Sequence, residues 1–115
     1  MSETTLFDKI LAGEVPADKV YEDEHILAFR DINPQAPVHV LVIPKQKAAR
    51  FDELSDSEAT QIGMLFKGAA QVARQLGLAK DGYRIVVNNG EHGQQTVEYL
   101  HIHILGGRQL EWPPG

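Results

Sequence analysis

The chain has 115 residues, the size of one domain, and its 43% hydrophobic and 23% charged residues are typical of a globular protein rather than a disordered or fibrous one. Eleven basic and sixteen acidic residues give a net charge of −5 without any Lys/Arg cluster, which disfavours polymeric nucleic acid but leaves a mononucleotide as a possible partner. The chain has no cysteine for a disulfide, a thiolate nucleophile or a thiolate zinc site, and no apolar stretch of about 18 residues that would cross a membrane.

The first predicted element is a short amphipathic helix. Leu6, Phe7, Ile10 and Leu11 recur at helical spacing, and Gly13 follows as a stop. The N-terminal segment has no basic region followed by an apolar region, as a secretion signal would. We therefore expect a cytoplasmic protein.

Three strands are predicted next. Val20 and Tyr21 form one strand of a hairpin with His25–Phe29, joined by an acidic turn. Residues 33–37 contain two prolines and are a loop. Val38–Ile43 is an almost unbroken apolar run, which predicts a central strand buried on both faces except at His39.

The second half of the chain predicts a long helix followed by two strands. Residues 55–58 match a capping box, and an apolar stripe continues to Gly77. This stripe consists of Ile62, Leu65, Phe66, Ala69, Ala73 and Leu76. The strands are predicted at Tyr83–Asn88 and from about Val97 to Leu105. The predicted class is α+β, with an antiparallel sheet and one main helix.

Two histidines alternate with apolar residues in the last predicted strand. His101 and His103 project from the same face as Tyr99, and His39 on a neighbouring strand is able to approach them. A neutral imidazole attacks phosphorus well, provided that a neighbouring acceptor holds the proton of its second nitrogen. On spacing alone, two other interpretations, half-exposed surface histidines and a weak zinc site, taken together explain the pattern as well as a nucleophile does.

The sequence around these histidines resembles the histidine triad family, in which histidines alternate with hydrophobic residues. The resemblance is carried by residues 93–109, and the tail Trp112–Gly115 is similar to that of the Hint branch. Further matches are Phe7–Ile10, Ala28–Pro37, His39–Lys45 and Tyr83–Asn88, so the likeness covers nearly the whole chain.

The resemblance implies a single domain over residues 1–115 with the histidine-triad fold. In that fold a five-stranded antiparallel sheet carries one long and one short helix, and two sheets join across a homodimer. The resemblance also implies that the protein binds a purine mononucleotide, AMP or GMP, and hydrolyses nucleoside phosphoramidates through a nucleotidylated histidine. It implies no cofactor and no metal.

The resemblance assigns a role to each matching position. His101 would be the nucleophile, and His103 and Asn88 would contact the phosphate. Gln94, Gln95 and Thr96 would lie in the loop around the phosphate and the leaving group, with Thr96 or His103 passing a proton to the leaving nitrogen. Asp31 would bind the ribose hydroxyls. The base would be walled by Leu6, Phe7, Ile10, Phe29 and Ile32. His39 would support the triad, and Trp112 would reach toward the partner's site.

The chain departs from the family pattern near the nucleophile. Tyr99 stands where the family has its first triad histidine, Gln94 replaces a usual glycine, and Thr96 replaces serine. Because the first position contributes its backbone carbonyl in the family, we expect activity to survive.

Three alternatives stay open at this stage. The first is a nucleotide-binding module without turnover, in which Tyr99 marks a decayed triad. The second is a zinc site made by His39, His101 and His103. The third is a dinucleoside polyphosphate hydrolase or nucleotidyl transferase of a sister branch, which the Trp112–Gly115 tail disfavours. Loss of turnover in His101→Ala with nucleotide affinity retained would distinguish the hydrolase from the binding module.

Overall fold

The structure is a computed structural model that describes residues 4–115, so the first three residues of the predicted 1–115 domain lie outside the described residues. Two α-helices and five strands form it. In chain order they are α1 (Leu6–Leu11), β1 (Lys19–Glu22), β2 (Ile26–Arg30), β3 (Val38–Pro44), α2 (Ala59–Gln75), β4 (Tyr83–Val86) and β5 (Ile102–Gly106). Both predicted helices and all five predicted strands are therefore present.

The five strands form one antiparallel sheet in the order β1-β2-β3-β5-β4. β3 is central, as its apolar run predicts, and β4 lies at an edge. The register of β3 with β5 places His39 opposite Leu105 and Leu41 opposite His103. Residues 39, 41 and 103 are thereby brought side by side in the middle of the sheet.

Successive strand residues pack on opposite faces of the sheet, because side chains alternate along a strand. One face is covered by α2, whose Leu65, Ala69 and Val72 pack against Val40 and Ile102. The other face is covered in part by α1, with Phe7 and Ile10 in the same apolar cluster as Phe29, Leu41 and Tyr99. The histidines lie on the α1 face, since Ile102 and Ile104 take the α2 face.

Side chains at both helix starts satisfy backbone donors. The Thr5 hydroxyl accepts from the Asp8 N–H, and the Asp8 carboxylate accepts from the Thr5 N–H at 2.7 Å. The Asp8 carboxylate also pairs with Lys47 Nζ at 2.8 Å, which ties α1 to the segment after β3. The predicted capping box of Ser55 and Glu58 is also present, but it encloses the 3-10 turn Asp56–Glu58 that leads into α2.

The last strand is shorter than its sequence pattern predicts. It begins at Ile102 rather than near Val97, so this part of the prediction is wrong. The preceding segment makes its hydrogen bonds elsewhere: Val97 O accepts from the Gln95 side chain, and Leu100 N–H donates to Ala48 O. The neighbouring strand β3 ends at Pro44, which has no N–H to offer a ladder. β4 likewise ends at Val86, two residues before the predicted Asn88.

Among residues 4–115, no helix has the length and apolar character needed to cross a membrane.

Candidate active site

A cavity of about 280 Å³ opens on the α1 face of the sheet, and His101 and His103 line it. Nine of the predicted site residues lie in its wall: Leu6, Phe7, Ile10, Phe29, Asp31, Ile32, Thr96, His101 and His103. Sequence reasoning missed six others: Val15, Pro16, Ala17, Arg30, Leu41 and Val97. Leu41 was identifiable, because it lies two positions after His39 on a strand and therefore shares its face. The contribution of residues 15–17 depends on how the chain folds back after α1, for which the sequence carries no local signal.

The apolar part of this wall has a buried floor and an exposed rim. Phe7 is 3% exposed, and its ring meets that of His101 edge-on with centroids 5.0 Å apart. At the rim, Leu6 is 46% exposed and Ile32 is 96% exposed. A cavity with apolar walls and an exposed rim suits the binding of an apolar heterocycle.

His101 lies immediately before β5 and is buried, with 4% of its surface exposed. Its Nδ1 lies 2.7 Å from the backbone carbonyl oxygen of Tyr99. Because a carbonyl only accepts, Nδ1 must carry the proton and donate, which leaves a lone pair on Nε2. Burial lowers the pKa of His101, and the hydrogen bond to Tyr99 opposes this in part. His101 is thus a neutral imidazole with one nitrogen held and the other available for attack.

Tyr99 holds the carbonyl that orients His101. Its side chain is fully buried, its ring packs against Phe7, and its hydroxyl donates to the Pro44 carbonyl. Burial raises the pKa of the phenol, and the nearby Asp8 carboxylate raises it further. The phenol does not line the cavity.

His39 and His103 form a second pair beside His101. His39 Nε2 lies 2.9 Å from His103 Nδ1, and the rings of His101 and His103 have centroids 4.9 Å apart. On its other side, His39 Nδ1 accepts from the backbone N–H of Gln35 at 3.0 Å. Burial lowers the pKa of His103 to about 4, with help from the two neighbouring imidazoles, and burial also lowers that of His39. The pair is neutral near pH 7.

Asp31 lies at the end of β2 and has two neighbours. One carboxylate oxygen accepts from the Asn33 N–H at 2.8 Å, which forms the turn, and the other lies 3.5 Å from His39 Nε2. Asp31 therefore both forms the turn and lies in the cavity wall.

The loop between β4 and β5 combines structural and cavity-facing residues. The Gln95 side chain makes three backbone hydrogen bonds: its oxygen accepts from Gly90 N–H, and its nitrogen donates to Ala49 O and Val97 O. Gln94 adopts a left-handed conformation with φ 60°, a region that glycine enters more readily than other residues. Thr96 is exposed and reaches the cavity.

Two further predicted residues do not line the cavity. Asn88 lies two residues beyond Val86, which is opposite His103 in the sheet, so it is placed near the level of His101. Trp112 is 80% exposed, and the guanidinium carbon of Arg84 lies over its ring, 5.8 Å from the ring centroid. Their roles toward a substrate stay predictions, as do those of Gln94 and Gln95.

A larger groove of about 610 Å³ lies beside β4 and the segment after β5. It contains no histidine, and its two arginines, Arg84 and Arg108, already donate to backbone carbonyls. The smaller cavity with the histidines is therefore the candidate active site.

One group of side chains has the spacing of a metal site. Single ligand atoms of Asp31, His39 and His103 lie within 4.8 Å of one another. This set differs from the sequence-based alternative, which combined His39 and His103 with His101.

Comparisons with known proteins agree on one family. A family model described as "HIT domain" matches residues 12–110. A "14 kDa zinc-binding protein" of Zea mays is 54% identical over 114 residues, which cover 96% of this chain and 88% of the maize protein. The "Adenylylsulfatase HINT1" of Arabidopsis thaliana is 50% identical over 114 residues, with 96% of this chain and 76% of that protein covered. A solved structure of a HIT family hydrolase from Legionella pneumophila superposes with a TM-score of 0.94 at 46% identity, covering 97% of this chain and 100% of the other.

Proposed function

This chain belongs to the HIT domain family, and from that premise we propose that it is a purine nucleotide hydrolase that cleaves nucleoside phosphoramidates through a covalent nucleotidyl-His101. The observation that carries the proposal is the 2.7 Å hydrogen bond between His101 Nδ1 and the Tyr99 carbonyl, which leaves Nε2 unprotonated beside the cavity. Tyr99 in place of a histidine does not affect this bond, because the backbone makes it. The presence of Tyr99 is therefore no argument for a loss of activity.

The proposed reaction has two steps. His101 Nε2 attacks the α-phosphorus, the bond from phosphorus to the amine breaks, and the departing nitrogen takes a solvent proton by way of His103 or Thr96. The Tyr99 carbonyl stabilises the positive charge that the imidazole acquires. Water then attacks the phosphorus of the adduct and loses a proton, and the electron pair of the broken bond returns to Nε2. The products are a nucleoside monophosphate and a free amine.

The remaining cavity residues fit the parts of a mononucleotide. Leu6, Phe7, Ile10, Phe29 and Ile32 would hold the base between apolar surfaces. The Asp31 carboxylate, whose oxygens have further lone pairs besides those that face Asn33 and His39, would accept from ribose hydroxyls. Asn88, His103 and the loop of Gln94, Gln95 and Thr96 would surround the phosphate, with Gln95 acting through the loop shape because its amide is engaged with the backbone.

The first test is turnover of adenosine 5′-phosphoramidate by the wild type and by His101→Ala. Turnover should fall by about 100-fold or more in the variant while AMP affinity changes little, because attack on phosphorus is lost and ground-state binding is kept. His92→Ala, at an exposed loop position, is the control and should keep wild-type turnover. A wild type that binds AMP without turnover would instead support the non-catalytic binding module.

The Arabidopsis relative favours a second leaving group for the same site. That protein is named an adenylylsulfatase, and attack by His101 on an adenylyl sulfate would expel sulfate instead of an amine. Comparing kcat/KM for adenosine phosphoramidate and adenylyl sulfate decides between the two substrates. Loss of both activities in His101→Ala would show that they share the nucleophile.

Zinc binding is the alternative raised by the name of the maize relative and by the cluster of Asp31, His39 and His103. A metal on His39 Nε2 would require the proton on Nδ1, but the Gln35 N–H already points at that atom from 3.0 Å. Metal-bound histidines normally donate from their second nitrogen, so this donor opposes zinc. We expect elemental analysis to find far less than one zinc per chain. A full equivalent that is lost in His39→Gln would favour the metal site.

We also propose a homodimer that joins the two sheets along β4. β4 is an edge strand, and its Tyr83 and Ile85 are 38% and 42% exposed. An exposed apolar edge strand is a ready template for pairing with a second strand. The tail with Trp112 lies next to Arg84 on the same edge, which supports its proposed reach toward the partner's site.

A further inference from the structure

His39 contacts hydrogen-bonding groups of known polarity on both of its ring nitrogens. The Gln35 main-chain N–H, which only donates, faces Nδ1 at 3.0 Å. The Asp31 carboxylate, whose oxygens accept hydrogen bonds, lies 3.5 Å from Nε2. Each contact independently favours the tautomer of a neutral His39 with its proton on Nε2.

This tautomer of His39 determines the tautomer of His103. With its proton on Nε2, His39 donates across the 2.9 Å contact to His103 Nδ1. His103 then has a lone pair on Nδ1, so its own proton must be on Nε2. His103 Nε2 is buried and has no hydrogen-bond partner among residues 4–115. A buried donor without a partner is energetically unfavourable, and a ligand acceptor in the adjoining cavity would remove that penalty.

We propose that the Gln35 main-chain N–H and the Asp31 carboxylate act through His39 as positioning groups that keep the proton of His103 on Nε2, so that His103 offers a donor to the leaving group. The proposal deepens the phosphoramidase function and rests on it. It makes His39 a positioning residue rather than a catalytic one, because its ring does not line the cavity.

The loop that supplies the Gln35 N–H is held in place. Gln35 Nε2 donates to Asn33 O at 3.1 Å, and Arg108, just after β5, donates to Gln35 O at 3.2 Å. Pro34 and Pro37 flank this position and further restrict the backbone. The donor direction is therefore built into the backbone next to the site and does not depend on a mobile side chain.

The benefit of a proton donor on His103 depends on the leaving group. An amine leaves as a strong base unless it receives a proton, whereas sulfate is a weak base and leaves as a stable anion. A fixed donor on His103 therefore assists an amine much more than sulfate. Replacing His39 by a side chain that cannot donate should therefore shift the preference of the site from an amine toward sulfate as the leaving group.

The direct test is nitrogen-15 NMR of the histidine rings in the wild-type protein without ligand at pH 7.5. The expected result is a proton on Nε2 and a lone pair on Nδ1 in both His39 and His103. A proton on Nδ1 of either ring would overturn the proposal. This result does not depend on turnover, so it is separable from a failure of the proposed function.

The kinetic test compares His39→Gln with His39→Met. The Gln amide reproduces both contacts, since its oxygen accepts from Gln35 N–H and its nitrogen donates to His103 Nδ1. Met has a similar size but cannot donate. We expect kcat for adenosine phosphoramidate in His39→Met to be about tenfold or more below that of His39→Gln, and the deficit to be much smaller for adenylyl sulfate. Equal losses for the two variants, or equal losses for the two substrates, would contradict the donor role.

Discussion

At the scale of single residues, the site depends on which hydrogen bonds are made by the backbone. His101 is oriented by the Tyr99 carbonyl and His39 by the Gln35 N–H, at 2.7 and 3.0 Å. Backbone partners do not change when a side chain is replaced. This explains how a tyrosine is accommodated where the family has a histidine, provided that its ring fits the apolar cluster around Phe7.

The Tyr99 side chain has a structural role that can be separated from that of its carbonyl. Tyr99→Phe removes the hydroxyl and leaves the buried Pro44 carbonyl without its donor. We expect the free energy of unfolding to fall by about 1–2 kcal/mol while phosphoramidate turnover is kept. Urea unfolding and kcat/KM measure the two effects.

Tyr21→Phe is the control, because Tyr21 lies on the opposite edge strand β1 and its hydroxyl donates to the Asp23 carboxylate rather than to a buried carbonyl, so the loss of stability should be smaller. If a fully folded Tyr99→Phe lost its turnover, the phenol itself would be required for the reaction.

At the scale of elements, α2 has two glycines in different surroundings. Gly68 packs on the sheet, where an added Cβ would lie 2.3 Å from Cδ1 of the buried Ile26. Gly63 is exposed, and an added Cβ would meet nothing within 4 Å. The apolar stripe in the sequence includes neither glycine, although Gly68 is buried against Ile26 of β2.

Alanine substitution should therefore have opposite effects at the two positions. Gly63→Ala is expected to stabilise the protein by about 0.5–1 kcal/mol, because alanine has the higher helix propensity. Gly68→Ala is expected to destabilise it by about 1–3 kcal/mol through overpacking against Ile26. Thermal unfolding of both variants checks this. An equal gain in stability at both sites would mean that α2 is free to move away from the sheet.

At the scale of the whole molecule, the exposed edge strand β4 is the surface along which we propose that two copies of the chain pair. Ile85→Glu places a charge in the middle of this edge strand, which should prevent pairing with a second copy. We expect sedimentation to change from a dimer to a monomer. Gln46→Glu adds the same charge at an exposed position after β3 and should leave the dimer intact. A wild type that sediments as a monomer at micromolar concentration would refute the dimer.

The sequence by itself determined the elements and the chemistry-bearing residues of this protein. Periodicity places α1, α2 and all five strands, and it puts His101 and His103 on one face, because apolar alternation is a local property. It failed at the start of β5, where Val97 and Leu100 bond to Gln95 and Ala48 instead of to a strand. The sequence places Pro44 at the end of β3, but it does not give the register of β3 with β5, which leaves the residues before Ile102 without a strand partner.

Only the tertiary structure decided how these residues act together. The contact of Gln35 with His39 follows from a loop conformation, and that of His39 with His103 joins residues 64 positions apart. Their proton positions depend on which donors and acceptors face each ring, and residue spacing carries no information about that direction. The sequence therefore identifies the histidines, whereas the Tyr99 carbonyl, the Gln35 N–H and the contact between β3 and β5 determine which of their ring nitrogens carry protons.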